Sequence, residues 1–289
     1  MSEFIRHYTK IQEYRTDNQA DTALAYIQIK SHTIRILIWE GSQNNLLAFD
    51  EIQFTRPLNT EEQIAQFQHF LPESGLSGFP VRQVRLIYEP GHFVLVPAPL
   101  WDEKNALDYL LQTGEPAFDF RILEQTFGEG HHLVYALPLA WKNWADQLFE
   151  SSEIQWLCSL IPFIYKGMEM CPPDKSMMLA CIENEYMFGL AFRGGSLQFL
   201  NRFEFKTEND LLYFTLLTAE TAGANPAEDR LLLCGNLLPS SLGFEKLNRY
   251  FGNSEFISDK TPASDVQGAG FLRHSVYFDL MMHLSHQKT

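Results

Sequence analysis

The chain has 289 residues, 45% of them hydrophobic and 20% charged, a balance that is typical of a globular protein and argues against a disordered one. Its formal net charge is −14 at neutral pH. Because such a surface repels nucleic acid and anionic lipid, the composition disfavours both as partners.

The first 22 residues form a polar leader without the apolar segment of a signal peptide. No apolar run in the chain approaches the roughly 20 residues that cross a bilayer, so we expect no membrane insertion. The cysteines form no CxxC pair, which argues against zinc and favours buried thiols in a reducing compartment. We therefore expect a cytoplasmic protein. The four cysteines are Cys158, Cys171, Cys181 and Cys234.

Three short apolar segments separated by polar turns follow the leader, at Ala23–Ile29, Thr33–Glu40 and Asn45–Phe54. This spacing predicts a three-stranded antiparallel meander. A helix is predicted next, from Thr60 to Leu71, with Asn59 or Thr60 as its cap. A further strand is expected at about residues 82–88.

The segment at about residues 90–137 is predicted as an inserted subdomain with a helix from Trp101 to Gln112. A second helix begins near Pro138, where proline fits the first turn. Trp141 and Trp144 share one face of that helix, which indicates either core residues or a contact surface. Since paired prolines interrupt helices and strands, Cys171-Pro172-Pro173 is the expected boundary between lobe 1 (23–171) and lobe 2 (172–289).

The second half repeats the order of the first. Another meander is predicted at Ser176–Glu183, Tyr186–Arg193 and Ser196–Phe205, and a helix follows from Glu208 to about Ala222. A buried strand, a helix and a short strand complete it. Alternating strands and helices on mixed sheets place the chain in the α/β class, with two duplicated lobes flanked by helices.

A duplicated unit that opens with three antiparallel strands resembles the actin-like ATPase and ribonuclease H-like superfamily. Within it, the insert in the first lobe is similar to the pilus-assembly and secretion-apparatus branch. The chain also resembles an uncharacterised bacterial family with an actin-like ATPase fold. This resemblance covers roughly residues 23–258 and implies ATP and Mg²⁺ as the cofactors to consider.

The resemblance also locates a phosphate-binding turn after the first strand. In active members this turn has the form Asp-x-Gly, in which the Asp positions a metal-bound water and the Gly lets phosphate approach the backbone. Here Gln28 matches the Asp and Lys30 the Gly. A glutamine supplies no negative ligand for Mg²⁺. Ser31, Thr33 and Arg35 are compatible with the pattern.

The second lobe departs from the pattern as well. Cys181 matches the second Asp and Glu183 the second Gly, with Asn184 and Glu185 where small residues are expected. Carboxylates that face a polyphosphate repel it unless a cation intervenes. In the adenosine-contacting turn, Gly235 matches, but Asn236 replaces a second glycine.

These departures predict a degenerate, non-catalytic scaffold or protein-interaction module with weak or no nucleotide binding. The nucleotide-binding candidates are Lys30, Ser31, Thr33, Asn184, Gly235 and Asn236. The alternative is a functional ATPase with atypical phosphate-site residues, in which Glu183 and Glu185 are the catalytic candidates. A nuclease of the same superfamily is excluded because Gln28 replaces the required carboxylate.

No metal site is expected. His283 and His286 have the spacing of one helical face, but no third ligand accompanies them.

Overall fold

The computed structural model of the chain describes residues 4–10, 23–40, 45–78, 81–257 and 275–285. These residues form two compact α/β units, the first ending at Ser159 and the second beginning at Leu160. Each unit has one mixed sheet flanked by helices, and the first has a small additional sheet. The predicted fold class, two α/β lobes that each open with a meander, is confirmed.

The main sheet of the first unit has six strands in the order β1-β4-β3-β2-β5-β9. Its centre is the predicted antiparallel meander β2-β3-β4, and β5 and β9 run parallel to β2. The strands of this unit are β1 (Phe4–Lys10), β2 (Ala23–Lys30), β3 (Thr33–Glu40), β4 (Asn45–Phe54), β5 (Gln83–Tyr88), β6 (Phe93–Val96), β7 (Phe120–Phe127), β8 (His131–Pro138) and β9 (Glu153–Cys158).

Strand β1 lies within the residues predicted as a polar leader, which is a correction. Its backbone pairs antiparallel with β4, from Phe4 opposite Phe54 to Lys10 opposite Ala48. Strand pairing needs backbone hydrogen bonds and residues that favour extended structure, and the segment FIRHYTK supplies Phe, Ile, Tyr and Thr. An apolar run is therefore not required. Residues 11–22 of the predicted leader lie outside the described residues.

The core of the first unit lies between the meander and two helices. The helices of the unit are α1 (Thr60–Phe70), α2 (Ala106–Leu111) and α3 (Leu139–Leu148). Phe67 of α1 packs against Trp141 and Trp144 of α3, with ring centroids 6.3 and 5.0 Å apart. Asn59 caps α1 in a capping box with Glu62, in agreement with the predicted start. Burial of these rings in the core contributes to the stability of the unit.

A separate three-stranded sheet, in the order β6-β8-β7, lies within the segment predicted as an insert. The helix predicted from Trp101 to Gln112 is shorter than expected, because only Ala106–Leu111 is α-helical. Asp102 caps a preceding 3₁₀ turn by accepting a hydrogen bond from the Lys104 amide. This local side chain to backbone bond competes with the longer helix.

The second unit has a five-stranded sheet in the order β12-β11-β10-β13-β14. The meander β10-β11-β12 is antiparallel, and β13 and β14 run parallel to β10. Its elements are α4 (Ile161–Met170), β10 (Ser176–Ile182), β11 (Tyr186–Arg193), β12 (Ser196–Glu204), α5 (Glu208–Thr221), β13 (Arg230–Gly235), α6 (Leu242–Tyr250), β14 (Asn253–Phe256) and α7 (Phe278–Ser285).

Helix α4 belongs to the second unit, so the division of the chain lies about one helix before the predicted boundary at Cys171. The helix packs on β10, β11 and β12. A Cβ atom at Gly167 would lie 2.0 Å from Cζ of Phe192, which shows how closely the ring of β11 approaches the helix. The prolines at 172 and 173 therefore mark a turn inside a unit.

Helices cover both faces of the second sheet. Helices α5 and α6 enclose a core that includes Leu211, Leu233 and Leu247. On the opposite side, α4 and α7 contact each other, and Phe163 stacks on Phe278 with centroids 5.6 Å apart. No helix in the described part of the chain combines the length and the hydropathy needed to cross a membrane.

Candidate functional site

The turn between β2 and β3 carries the first set of predicted site residues. Lys30, at the end of β2, forms an ion pair with Glu89, whose Oε2 lies 3.3 Å from its Nζ. Both side chains are buried, with exposed fractions of 4% and 5%. The amide of Glu89 donates to the carbonyl of Ile29, which fixes the residue after β5 beside β2. The ammonium of Lys30, the residue predicted to match the glycine of active actin-like ATPases, therefore has a carboxylate partner within the protein.

Gln28, predicted to match the Asp of active actin-like ATPases, is part of a buried polar row across three strands. Arg35 of β3 donates from Nη1 to Gln28 Oε1 at 2.9 Å and from Nε to Glu51 Oε2 of β4 at 2.6 Å. These residues are directly opposite each other in the strand register. Gln53 donates to the second oxygen of Glu51. The row gives each charged group a hydrogen-bonding partner, as buried charges require.

The turn itself is held by α1. Gln63 donates from Nε2 to the carbonyls of Lys30 and Ser31, at 3.0 and 3.2 Å. Its Oε1 accepts a hydrogen bond from Trp141 Nε1. Thr33 opens β3 and is buried. Neither Gln63 nor Glu89 was predicted from the sequence. Gln63 lies in line with Phe67 and Phe70 on the apolar side of α1. A polar residue on an apolar helix face was the one sequence feature that could have indicated its role.

In the second unit, the turn between β10 and β11 meets the end of β13. Asn236 donates from Nδ2 to Glu183 Oε2 at 3.0 Å and to Asn184 Oδ1 at 3.2 Å. The Cys181 thiol lies 4.0 Å from Glu183 Oε1, and Glu183 is buried. Glu185 is exposed. The structure thus brings together the candidates Glu183, Asn184, Gly235 and Asn236, a proximity that the sequence had not predicted.

Gly235 has a positive φ of 86°, and its position leaves no room for a side chain. A Cβ atom there would lie 2.1 Å from the carbonyl oxygen of Ile182. The same oxygen accepts a hydrogen bond from the Asn236 amide at 2.6 Å. Glycine is therefore required by the contact between the ends of β10 and β13.

Other residues singled out in the sequence have structural positions. Trp141 and Trp144 are buried and pack edge to face at 5.1 Å, so they belong to the core and not to a contact surface. His283 lies in α7, and His286 lies outside the described residues. Within the described ranges, no group of three His, Cys, Asp or Glu residues is placed to hold a metal ion. All four cysteines are buried and none forms a disulfide.

A family model described as a protein of unknown function (DUF3822) matches residues 11–253. The chain belongs to the DUF3822 family. No curated protein matches this DUF3822 chain.

Solved structures resemble the DUF3822 chain over 79% to 94% of its length. A Bacteroides thetaiotaomicron protein with an actin-like ATPase fold and unknown function aligns with a TM-score of 0.74 and 14% identity, covering 94% of this chain and 99% of that one. A chain of the PilM-PilN type IV pilus biogenesis complex aligns with a TM-score of 0.51 and 13% identity, covering 91% and 98%. The cytoplasmic domain of EpsL, from the type II secretion system of Vibrio cholerae, has a TM-score of 0.39 and 14% identity, covering 79% and 93%.

These likenesses concern the fold. The predicted resemblance to the actin-like ATPase superfamily, and to an uncharacterised family with that fold, is confirmed. Activity does not follow from a shared fold, because function is decided at the site.

Proposed function

We propose that this DUF3822 chain is a non-catalytic actin-like scaffold of the cytoplasm that holds another protein and binds nucleotide weakly or not at all. The observation that carries the proposal is the buried ion pair of Lys30 with Glu89 at the place where active members keep a phosphate-binding glycine.

In the first unit, the turn between β2 and β3 offers a nucleotide few favourable contacts. The side chain of Lys30 extends from the position where the family's glycine leaves the backbone open to phosphate, and Glu89 brings a negative charge to the same place. Gln28 is neutral, and its side-chain oxygen accepts from Arg35. A hard divalent cation prefers carboxylate oxygens to a neutral amide. The β2–β3 turn therefore lacks both contacts of active actin-like ATPases, the acidic residue for the metal and the open backbone for phosphate.

The second unit adds a carboxylate where active members have a glycine. Glu183 is buried beside Asn236, and a polyphosphate brought to this edge would meet a like charge in a region of reduced dielectric. Gly235 gives no opening to compensate, because the Ile182 carbonyl fills the space beside its Cα. Both turns therefore support weak or absent nucleotide binding.

A protein partner is the second half of the proposal. One of the similar structures is a chain of the PilM-PilN type IV pilus biogenesis complex, which motivates the same kind of role for this fold. The negative charge of the chain disfavours nucleic acid and anionic lipid. Co-purification of the tagged chain from its native cell should yield a protein at near-equal amounts; recovery of the chain alone would contradict this half.

Calorimetry with ATP and Mg²⁺ tests the nucleotide half. We expect no saturable heat at ligand concentrations up to about 1 mM, which corresponds to a binding free energy weaker than about −4 kcal/mol. Micromolar binding would overturn the proposal. Phosphate release that is lost in Glu183→Gln but kept in Glu204→Gln, an exposed residue of the same unit, would establish the ATPase instead.

A further inference from the structure

Strand β12 forms one edge of the sheet of the second unit. It is nine residues long, and within the described residues its neighbour in the sheet is β11 alone. The register with β11 runs without a shift from Phe199 to Glu204. An open edge presents backbone N–H and C=O groups that another extended chain can pair with. The backbone chemistry of this edge therefore favours a further strand as its occupant.

The backbone groups of Arg202 and Glu204 point away from β11. The Phe205 amide donates to the Glu185 carbonyl at 3.0 Å, so the backbone of Phe205 faces β11. Because the backbone groups of successive residues in a strand point to alternate sides, those of Glu204 and Arg202, one and three residues earlier, face outward. The Arg202 amide donates to the side-chain oxygen of Asn201, 2.9 Å away, as expected for an amide at an open edge.

The two outward-facing residues carry opposite charges on either side of Phe203. Glu204 is 79% exposed and accepts a hydrogen bond from Arg202 at 2.9 Å, so both side chains lie on one face of the strand. When two copies of β12 pair antiparallel about Phe203, Arg202 of each copy lies opposite Glu204 of the other and exchanges both backbone hydrogen bonds with it. Opposite charges directly across two strands stabilise the pairing. The edge is therefore complementary to itself in charge.

An aromatic row on the other face of β12 adds apolar contacts. The rings of Phe199, Phe203 and Phe214 of α5 stack in series, with centroids 6.1 and 4.7 Å apart. All three are half-buried, and Tyr213, which is 60% exposed, packs against Phe214 at 5.3 Å. Pairing about Phe203 sets the Phe203 rings of the two copies opposite each other, at the kind of pair where side chains come closest.

We propose that β12 is a self-association edge, at which two copies of the chain pair antiparallel about Phe203 and join their sheets. Such a two-fold contact is isologous, so the pairing of Arg202 with Glu204 occurs twice. The net charge of −14 opposes the approach of two copies, but at physiological salt charges more than about 8 Å apart are largely screened. Because the paired stretch is short, we expect a weak dimer with a dissociation constant on the order of tens of micromolar.

Sedimentation velocity of the full chain tests the proposal, over concentrations from about 2 to about 200 µM that bracket the expected dissociation constant. The sedimentation coefficient should rise from that of a monomer to that of a dimer. Glu204→Arg places like charges opposite each other and should weaken association by about tenfold or more. The double variant Arg202→Glu/Glu204→Arg sets opposite charges across the strands again and should restore association to within about threefold.

The opposite edge of the same sheet supplies the matched control. Glu255 of β14 is exposed and ion-paired with Arg230, much as Glu204 is with Arg202. Glu255→Arg makes the same change of net charge and should leave the dissociation constant within about twofold, the effect of a remote exposed charge. Circular dichroism checks that each variant is folded.

Three results would overturn the proposal. The first is a chain that stays monomeric throughout the concentration range, which would leave the β12 edge to a strand of a partner protein. The second is association that Glu204→Arg leaves unchanged. The third is equal weakening by Glu204→Arg and Glu255→Arg, which would show that net charge and not the β12 edge decides association.

Discussion

Lys30 and Glu89 are an oppositely charged pair held 3.3 Å apart in a nearly dry environment. A buried pair of this kind contributes little net stability compared with apolar residues, because removing both charges from water offsets their attraction. Removing only one of the two residues lowers the stability, because the remaining charge keeps its desolvation penalty without the compensating attraction. The presence of both residues therefore matters more to stability than the attraction between them.

Lys30→Met should lower the free energy of unfolding by about 3–5 kcal/mol, the range for breaking one side of a buried ion pair. Urea unfolding followed by circular dichroism measures this change. The double variant Lys30→Met/Glu89→Leu should recover most of the loss. Lys166→Met, which removes a pair with the exposed Glu169, should change stability by less than about 1 kcal/mol. Equal losses of stability in Lys30→Met and Lys166→Met would contradict the assignment of Lys30 and Glu89 as a buried ion pair.

Gln28→Asp introduces the acidic residue that the resemblance to active actin-like ATPases predicts at this position, and it should still give no binding of ATP and Mg²⁺. The new carboxylate would face Arg35, whose Nη1 lies 2.9 Å from the present amide oxygen, and would pair with it in preference to a metal. Calorimetry on Gln28→Asp, with Gln28→Asn as the neutral control, measures the outcome. Micromolar binding confined to Gln28→Asp would show that this position alone decides nucleotide binding.

The meanders and long helices were predictable from the sequence because each rests on local signals. Apolar runs divided by polar turns mark both meanders, and Asn59 marks the start of α1 through its capping box. Strand β1 was missed because an edge strand needs a backbone partner and not an apolar run. The placement of α4 was missed because the prolines at 172 and 173 stop the helix without separating it from the second unit.

The candidate site was predictable only in part. The resemblance located the turns that contain Glu183 and Asn236, but their contact depends on the parallel pairing of β10 with β13, which the sequence did not show. The pairing of Lys30 with Glu89 joins residues 59 positions apart and has no local pattern. Gly235 was expected to admit a ligand, whereas its missing side chain makes room for the Ile182 carbonyl. The sequence therefore locates the turn, but it does not show which atoms occupy the space beside the glycine.

Tyr26 should make the protein less stable at high pH. Burial raises the pKa of Tyr26 to about 12, even though Arg85, which donates to its hydroxyl at 3.2 Å, lowers it. In the unfolded chain the hydroxyl ionises near its ordinary pKa of 10.0, so the stabilising contribution is complete below that pH. It is lost as the pH rises from about 10 to about 12, by up to about 1.4 kcal/mol per pH unit.

Tyr26→Phe isolates this contribution. Urea unfolding at a series of pH values between 10 and 12 should show a shallower loss of stability in Tyr26→Phe than in the unchanged chain. Tyr213→Phe is the matched control, because that hydroxyl belongs to a side chain that is 60% exposed. Identical slopes in Tyr26→Phe and the unchanged chain would show that the Tyr26 hydroxyl ionises alike in both states.

Gly235→Ala should destabilise the second unit while Gly91→Ala should not. At Gly235 an added Cβ would lie 2.1 Å from the Ile182 carbonyl oxygen, and the backbone has a φ of 86° that disfavours alanine. At Gly91 an added Cβ meets no atom within 4 Å. We expect a loss of more than about 2 kcal/mol for Gly235→Ala and a change within about 0.5 kcal/mol for Gly91→Ala, both measured by urea unfolding. If the two variants were equally stable, Gly235 would not be needed for the contact of β10 with β13. The hypothesis that this glycine makes room for a ligand would then be favoured again.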